Sequence, residues 1–468
     1  MSAAPGKRPD RRPDAHARPA PARAVAAQVL ERVETDAAFA DLALDAELRR
    51  RPLPVRDVAL TTELVYGTLR WQRYLDWILA PHSRRRLPTL DPRVRVLLRM
   101  TAYQLAFLER VPAFAAVNDA VTLARGAPGV SEYVNAVLRA FARRGVAERE
   151  PAPPRDPIDA LATRCSFPTW LAARWVARYG AEEAEALMRA LNARPPLTVR
   201  ANTLRTTRDD LAARLREEEH VQTHTTRLAP EALVVEGGGD PGRWRAFADG
   251  ACIVQDEASM LVSRLLEPAP GATIADVCAA PGTKTTHLAQ LMENRGRVLA
   301  FDPQSGRLAR VDEAAARLGV TITETVEGPV EALAARWAGD CDGVLVDAPC
   351  SNLGVLRRNP EVKWRRQPAD VAAAGERQRG ILVAAATLVR AGGRLVYATC
   401  SLEPEENDEV ARDFLAAHPV FVVEPPAECP VAPDAAGFVR CLPHRHGTDG
   451  FTAIRFRRGG AVWGIRRP

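Results

Sequence analysis

None of the eight cysteines of this 468-residue chain stands in a Cys-x-x-Cys pair, so zinc-ribbon ligand spacing is excluded. No run of about 18 apolar residues is present, and no membrane span is expected. The first residues are rich in Pro, Arg and Ala without an apolar core, so nothing resembles a signal peptide. These absences point to a reducing cytoplasm, where the thiols stay free and any chemistry they do is thiol chemistry. The chain also lacks Gly-x-x-x-x-Gly-Lys-Ser/Thr, Gly-x-Gly-x-x-Gly and any internal repeat.

What is present is an ordinary globular balance, 47% hydrophobic and 26% charged, in a length that suits two or three domains. The net charge of +6 and pI of about 9.0 suggest an anionic partner without choosing between nucleic acid and membrane. Residues 1–22 read as a disordered basic tail, either solvated or touching RNA, and 461–468 as a second basic tail. Residues 23–146 read as a helical bundle. In "LDPRVRVLLRMTAYQLAFL", Asp91 caps, Pro92 opens the helix, and Leu97, Leu98, Thr101, Leu105 and Leu108 share a face. In "SEYVNAVLRAFARRG", Ser131 caps, Val134, Val137, Leu138 and Phe141 form the stripe, and Arg143, Arg144 and Gly145 close it. No titratable cluster is visible there, which favours a binding module. A proline-rich linker is expected at 147–157, a small α/β subdomain at 158–245, and an α/β domain at 246–460.

That last domain alternates strands and helices, with strands predicted at Ala272–Val277, Arg297–Phe301, Val320–Thr325, Gly343–Val346 and Arg394–Ala398. The alternation predicts a parallel, doubly wound sheet with ligands at the carboxyl ends of its strands, where Cys278, Asp302, Asp347 and Cys400 share a rim. "DVCAAPGTKTTHL" runs strand, tight loop, helix, and presents backbone amides at a helix N-terminus. Without phosphate-loop or dinucleotide glycines, it fits S-adenosylmethionine, whose ribose hydroxyls would meet Asp302 at the end of the next strand. Asp302 taken alone could be a turn residue; the loop before it decides for the ligand.

Two strands end near thiols, in "DGVLVDAPCSNLG" and "RLVYATCSLEPEEN". A thiolate can add to C6 of a pyrimidine, which makes C5 nucleophilic toward a methyl donor. A carboxyl group at N3 makes that addition easier for cytosine. Asp347, Cys350 and Cys400 supply these types. Cys165, Cys252, Cys341, Cys429 and Cys441 read as inert small residues, and Glu405 and Glu406 as acids of a helix's first turn.

"DAPCSNLGVLRRNPEVKW", "YATCSLEPEEN" and "DVCAAPGTKTTHL" together resemble the RNA 5-methylcytosine methyltransferases. With "ELVYGTLRWQRYLDWIL" and "VNAVLRAFAR", which resemble a NusB-type RNA-binding domain, the resemblance narrows to the RsmB/Sun family acting on small-subunit rRNA. It implies a Rossmann-like methyltransferase domain preceded by an all-α NusB-like domain, and a monomer that uses no metal. It further implies Cys400 as the attacking thiol, Cys350 as the release thiol and Asp347 facing cytosine beside the cofactor. S-adenosylmethionine would then rest on Cys278, Ala279, Ala280, Pro281, Gly282, Thr283, Lys284, Asp302 and Asp347. Two positions depart from the family. Thr283 stands where glycine is usual and demands a φ open to non-glycine residues; and Glu327-Gly328 replaces Gly-Asp after the third strand.

"RRNPEVKWRR" places Arg357, Arg358 and Lys363 around Trp364 just after Cys350, a pattern suited to gripping single-stranded RNA. Two alternatives stay open: the same chemistry on tRNA, or an inactive RNA-binding assembly factor on the same fold.

Overall fold

The structure is a computed structural model that describes residues 21–126, 128–143 and 150–460. The chain forms two compact units, divided after Ser166. Helix α1 already begins at Pro21, and Ala22 is buried, so residues 21 and 22 belong to the helix rather than to the expected tail; 1–20 and 461–468 lie outside the described residues.

The first unit is helical: α1 Pro21–Thr35, α2 Ala40–Arg50, α3 Val55–Arg70, α4 Gln72–Leu79, α5 Pro92–Phe107, α6 Ala113–Leu123, α7 Val130–Ala142 and α8 Pro157–Arg164. Helix α5 starts as its sequence predicts, with Asp91 accepting from the Arg93 amide at 2.9 Å and Pro92 behind it. It is buried on more than one face, since Val94, Val96 and Met100 join Leu97, Leu98 and Thr101, and so forms the centre of the bundle. Leu105 is half-buried, and Leu108 falls just past the helix end. Helix α7 buries Val134, Val137, Leu138 and Phe141 as expected.

Two expectations fail here. Ser131 does not cap α7; Gly129, with φ 76°, precedes the helix, and Ser131 instead donates to the Glu132 carboxylate. The unit also holds a titratable cluster. Buried Arg99 pairs with Asp76 at 2.7 Å and with Glu34 at 3.3 Å, and Arg95 pairs with the same Glu34 at 2.5 Å. Its members come from three helices, which helical periodicity cannot bring together.

The second unit carries two sheets. A small one has the order β2-β3-β1-β4, from β1 Leu197–Ala201, β2 Gln222–Thr225, β3 Ala232–Glu236 and β4 Cys252–Val254. The large one is built from β5 Thr273–Asp276, β6 Arg297–Asp302, β7 Thr323–Glu327, β8 Cys341–Asp347, β9 Val389–Thr399, β10 Phe421–Val423, β11 Phe438–Cys441 and β12 Phe451–Arg458. Its order is β10-β12-β9-β8-β5-β6-β7, with β11 also on β12. Strands β5 to β9 run parallel, while β10, β11 and β12 pair antiparallel, so the sheet is mixed rather than wholly parallel. The inner parallel strands β5, β8 and β9 carry apolar runs because helices such as Pro368–Leu388 cover them, whereas the edge strand β7, expected at Val320–Thr325 and found at Thr323–Glu327, is polar. Chain order reverses between β5 and β8, which opens a crevice at their carboxyl ends.

Candidate active site

Each residue at this crevice is delivered by a strand end. β5 ends on Asp276, β6 on Asp302, β8 on Asp347 and β9 on Thr399, with Cys278, Cys350 and Cys400 just beyond. Parallel register aligns the last two, because Asp347 lies opposite Ala398. The two thiols therefore converge across 50 residues of chain, and their sulfurs lie 3.0 Å apart.

A third partner completes the pair. Asn352 holds the left-handed φ of 64°, which an Asn tolerates, and its Oδ1 accepts from Cys400 at 3.0 Å and Cys350 at 3.6 Å. Gly354 then donates its amide to the Cys400 carbonyl at 2.9 Å. Any Cβ at Gly354 would meet the Gly450 oxygen at 2.3 Å, so only glycine allows this approach of three loops. The hydrogen bond with Cys400, then burial, then nearby negative charge hold the Cys350 thiol well above its ordinary pKa.

Lys284 donates to Asp347 at 2.6 Å and lies over the Phe451 ring. The acid beside the thiols is therefore a paired carboxylate. Behind it, Asp276 is fully buried. Burial, offset by the Thr285 hydroxyl, raises its pKa to about 6, and one of its carboxylate oxygens has no partner among the described residues.

The loop 278–284 turns at Gly282, where the φ of 100° favours glycine and a Cβ would meet the Val311 Cα at 3.0 Å. Thr283 is already the first helical residue, so the strain that its side chain raises in sequence does not arise. Buried Arg200 of β1 fixes this turn, donating to the Thr283 carbonyl at 2.7 Å and the Thr286 hydroxyl at 3.0 Å. Arg200 was invisible in sequence because it belongs to the other sheet. Asp302 is buried and accepts from the Gln304 amide at 3.1 Å, with Arg307 at 3.3 Å. Glu327 ends β7 directly opposite Asp302. Burial first, and then the charges of Asp276, Asp347, Asp302 and Glu331, raise the Cys278 thiol far above its usual range. Such an acid-rimmed cradle, with one buried carboxylate oxygen unpartnered, fits a cationic ligand such as the sulfonium and ammonium of S-adenosylmethionine.

The basic segment after Cys350 behaves otherwise. Arg357 is buried and pairs with Asp449 at 2.5 Å and Asp256 at 3.5 Å. Arg358 pairs with the same two carboxylates, at 2.5 and 3.0 Å. Lys363 is only 1% exposed, donates to Asn192 at 2.8 Å and lies 4.0 Å from the Phe167 ring centre. Arg357 and Lys363 thus serve the interior, and phosphate could reach neither without unpairing a buried charge. Arg358 is partly exposed but already committed, and Trp364 is half-buried. The run looks like a surface in sequence because its carboxylate partners are about a hundred residues away.

Glu406 lies in a first helical turn, as its sequence position suggests, and does more there. It is buried in a one-turn helix, Pro404–Glu406, and accepts from the Ser351 amide at 2.7 Å. Cys165, Cys252, Cys341 and Cys441 are buried, and Cys429 is partly buried. Among the described residues, no three His, Cys, Asp or Glu side chains gather as a metal site would, and no helix is long and apolar enough to cross a membrane.

Comparison with known proteins agrees with this geometry. Residues 263–457 match the family described as 16S rRNA methyltransferase RsmB/F, 20–143 match the NusB family, and 167–240 match the ferredoxin-like domain of RsmF/B-like methyltransferases. The probable ribosomal RNA small subunit methyltransferase B of Bacillus subtilis is 38% identical over 451 residues, 94% of this chain and 99% of that one. Ribosomal RNA small subunit methyltransferase B of Sodalis glossinidius is 36% identical over 403 residues, 86% and 89% of the two chains. Among solved structures, PH0851 is 29% identical with a TM-score of 0.80, covering 94% of this chain and 99% of that one. NSun6 of Pyrococcus horikoshii, solved with SFG, is 26% identical with a TM-score of 0.57, covering 62% and 98%. The chain belongs to the RsmB/F family of 16S rRNA methyltransferases.

Proposed function

We propose that this protein methylates C5 of a cytosine in small-subunit ribosomal RNA, with Cys400 as the attacking thiol. The observation that carries the reading is the pair of strand-end thiols, Cys350 and Cys400, 3.0 Å apart beside the Asp347–Lys284 pair. The relatives named for the small subunit support rRNA as substrate. The target base must leave its stack to reach sulfurs set at a strand rim.

Cys400, as thiolate, forms a bond to C6 and pushes an electron pair toward C5 and N3. The Asp347 carboxylate accepts a hydrogen bond from a protonated N3, which favours the electron-poor ring that Cys400 attacks. Lys284 keeps that carboxylate oriented. S-adenosylmethionine, when bound on loop 278–284 and Asp302, supplies the electrophilic methyl group for C5. The SFG that NSun6 was solved with is an analogue of this cofactor, which supports the assignment. A water molecule then takes the C5 proton, the freed electron pair re-forms the C5–C6 double bond, the C6–sulfur bond breaks and Cys400 leaves as thiolate. Cys350, held as a thiol, donates to that departing sulfur and favours release.

The test is nucleoside mass spectrometry of protein-free 16S rRNA, and of tRNA in parallel, after incubation with enzyme and S-adenosylmethionine. The reading expects 5-methylcytidine in rRNA alone. Methylation of tRNA alone, or at another atom, would overturn it.

A further inference from the structure

Each thiol is followed by a serine, Ser351 after Cys350 and Ser401 after Cys400, and both serines are buried. Their hydroxyls lie 3.2 Å apart and both donate to one carboxylate oxygen of Glu406, Ser351 at 2.5 Å. The other oxygen accepts from the Ser351 amide at 2.7 Å and from Gln378 at 3.2 Å. Gln378 in turn donates to the Pro349 carbonyl at 3.0 Å, and Tyr397 donates to the Glu406 carbonyl at 2.5 Å. Glu406 and Gln378 are 0% exposed, so no water competes for these bonds.

A carboxylate suits this position better than any neutral side chain. It offers about four acceptor sites and no donor, and so can take two hydroxyls, a backbone amide and a side-chain amide together. Glutamine in its place has one acceptor oxygen and an amino group that would face donors. Four neutral donors hold Glu406, and no ion pair to it is present among the described residues. Burying a carboxylate in this way is costly unless every bond is made. A merely stabilising contact could have used apolar packing instead. The bonds instead converge on the residues that follow the two sulfurs.

We infer that Glu406 is a positioning residue for the reaction: its buried carboxylate clamps Ser351 to Ser401 and thereby fixes Cys350 and Cys400 in reacting register. The inference rests on the thiol roles proposed above for its catalytic consequence, while the clamp itself can be read without RNA or cofactor.

The experiment uses the full chain and phenylarsine oxide. This trivalent arsenical condenses with two adjacent thiols; each gives up its proton, two arsenic–sulfur bonds form, and the oxygen leaves as water. Wild type should hold one arsenical that a Cys350→Ala/Cys400→Ala variant does not. Glu406→Ala should bind it at least about tenfold more weakly, and Glu406→Gln should fall between. In methyl transfer, Glu406→Ala should lower kcat by about 100-fold at unchanged KM for RNA, the scale of an ångström-sized misplacement. Should Glu406→Ala fail to fold, Ser401→Ala decides, with an expected threefold to tenfold loss in both readouts. Arsenical binding as in wild type for the folded variant would overturn the clamp, as would unchanged kcat. If the arsenical result holds but wild type methylates no cytosine, the clamp stands and the proposed function fails.

Discussion

The strand rim of the second unit and the basic stretch that follows Cys350 are both rich in reactive or charged side chains, and they use them in opposite ways. At the strand rim, Cys350, Cys400 and Asp276 keep capacity in reserve, as partly exposed thiols and an unpartnered buried oxygen, while Asp347 is already paired with Lys284. A few residues on, Arg357, Arg358 and Lys363 spend theirs internally, on Asp256, Asp449 and Asn192. Adjacency in sequence therefore says little about role. What separates the two stretches is what the partners are: neutral groups and one cation at an open rim, against carboxylates and an amide that bury the cations inside.

The largest expected effect falls on the rim. Cys400→Ala should lower methyl transfer by about 10³-fold or more if Cys400 forms the bond to C6, as proposed. Filter-bound radiolabel from S-adenosylmethionine measures it, and retained activity would transfer the nucleophile's role elsewhere.

The basic stretch should answer with stability instead. Arg357→Ala leaves Asp449 and Asp256 buried with one cation fewer and should cost about 3 kcal/mol in denaturant unfolding. The salt dependence of RNA binding should keep its slope. A slope reduced by about one, with stability intact, would return Arg357 to the RNA interface.

A smaller effect concerns the buried carboxylate behind the rim. Burial raises Asp276 to about 6, above its ordinary value of about 4. The folded protein thus holds a proton there that the unfolded chain releases, so its contribution to stability is present below about pH 4 and lost as pH rises through 6. A cationic cofactor favours the ionised form, so binding should release protons near pH 6. Titration calorimetry of S-adenosylmethionine in buffers of different ionisation heat should detect this release, and Asp276→Asn should abolish it. The smallest effect is at Thr283. Since it is helical and unstrained, Thr283→Gly should change cofactor affinity less than about fivefold, by helix propensity alone.

Much of the catalytic half was legible in the chain. The inner parallel strands declared themselves as apolar runs, while the polar edge strand β7 was placed about two to three residues early, and the short loops carried the thiols and carboxylates to one end. Asp91 and the stripe of α7 were readable because capping and helical period are local. What escaped depends on distant partners. Arg200 reaches the 278–284 turn from another sheet, Asn352 matters through a left-handed φ, and Glu406, readable only as an acid of a helix's first turn, finds its serines 55 and five residues away. Arg357 and Lys363 misled for the same reason, since their counter-charges and aromatic neighbours come from far along the chain.

One measurement tests the division of labour between the thiols most directly. Cys350→Ala is incubated with 16S rRNA and S-adenosylmethionine, denatured, and examined for a stable RNA–protein adduct by gel and peptide mass spectrometry. The account predicts an adduct joined at Cys400 and carrying a C5-methylated cytosine, absent from Cys350→Ala/Cys400→Ala. An adduct that persists without Cys400, or free turnover by Cys350→Ala at the wild-type rate, would contradict it.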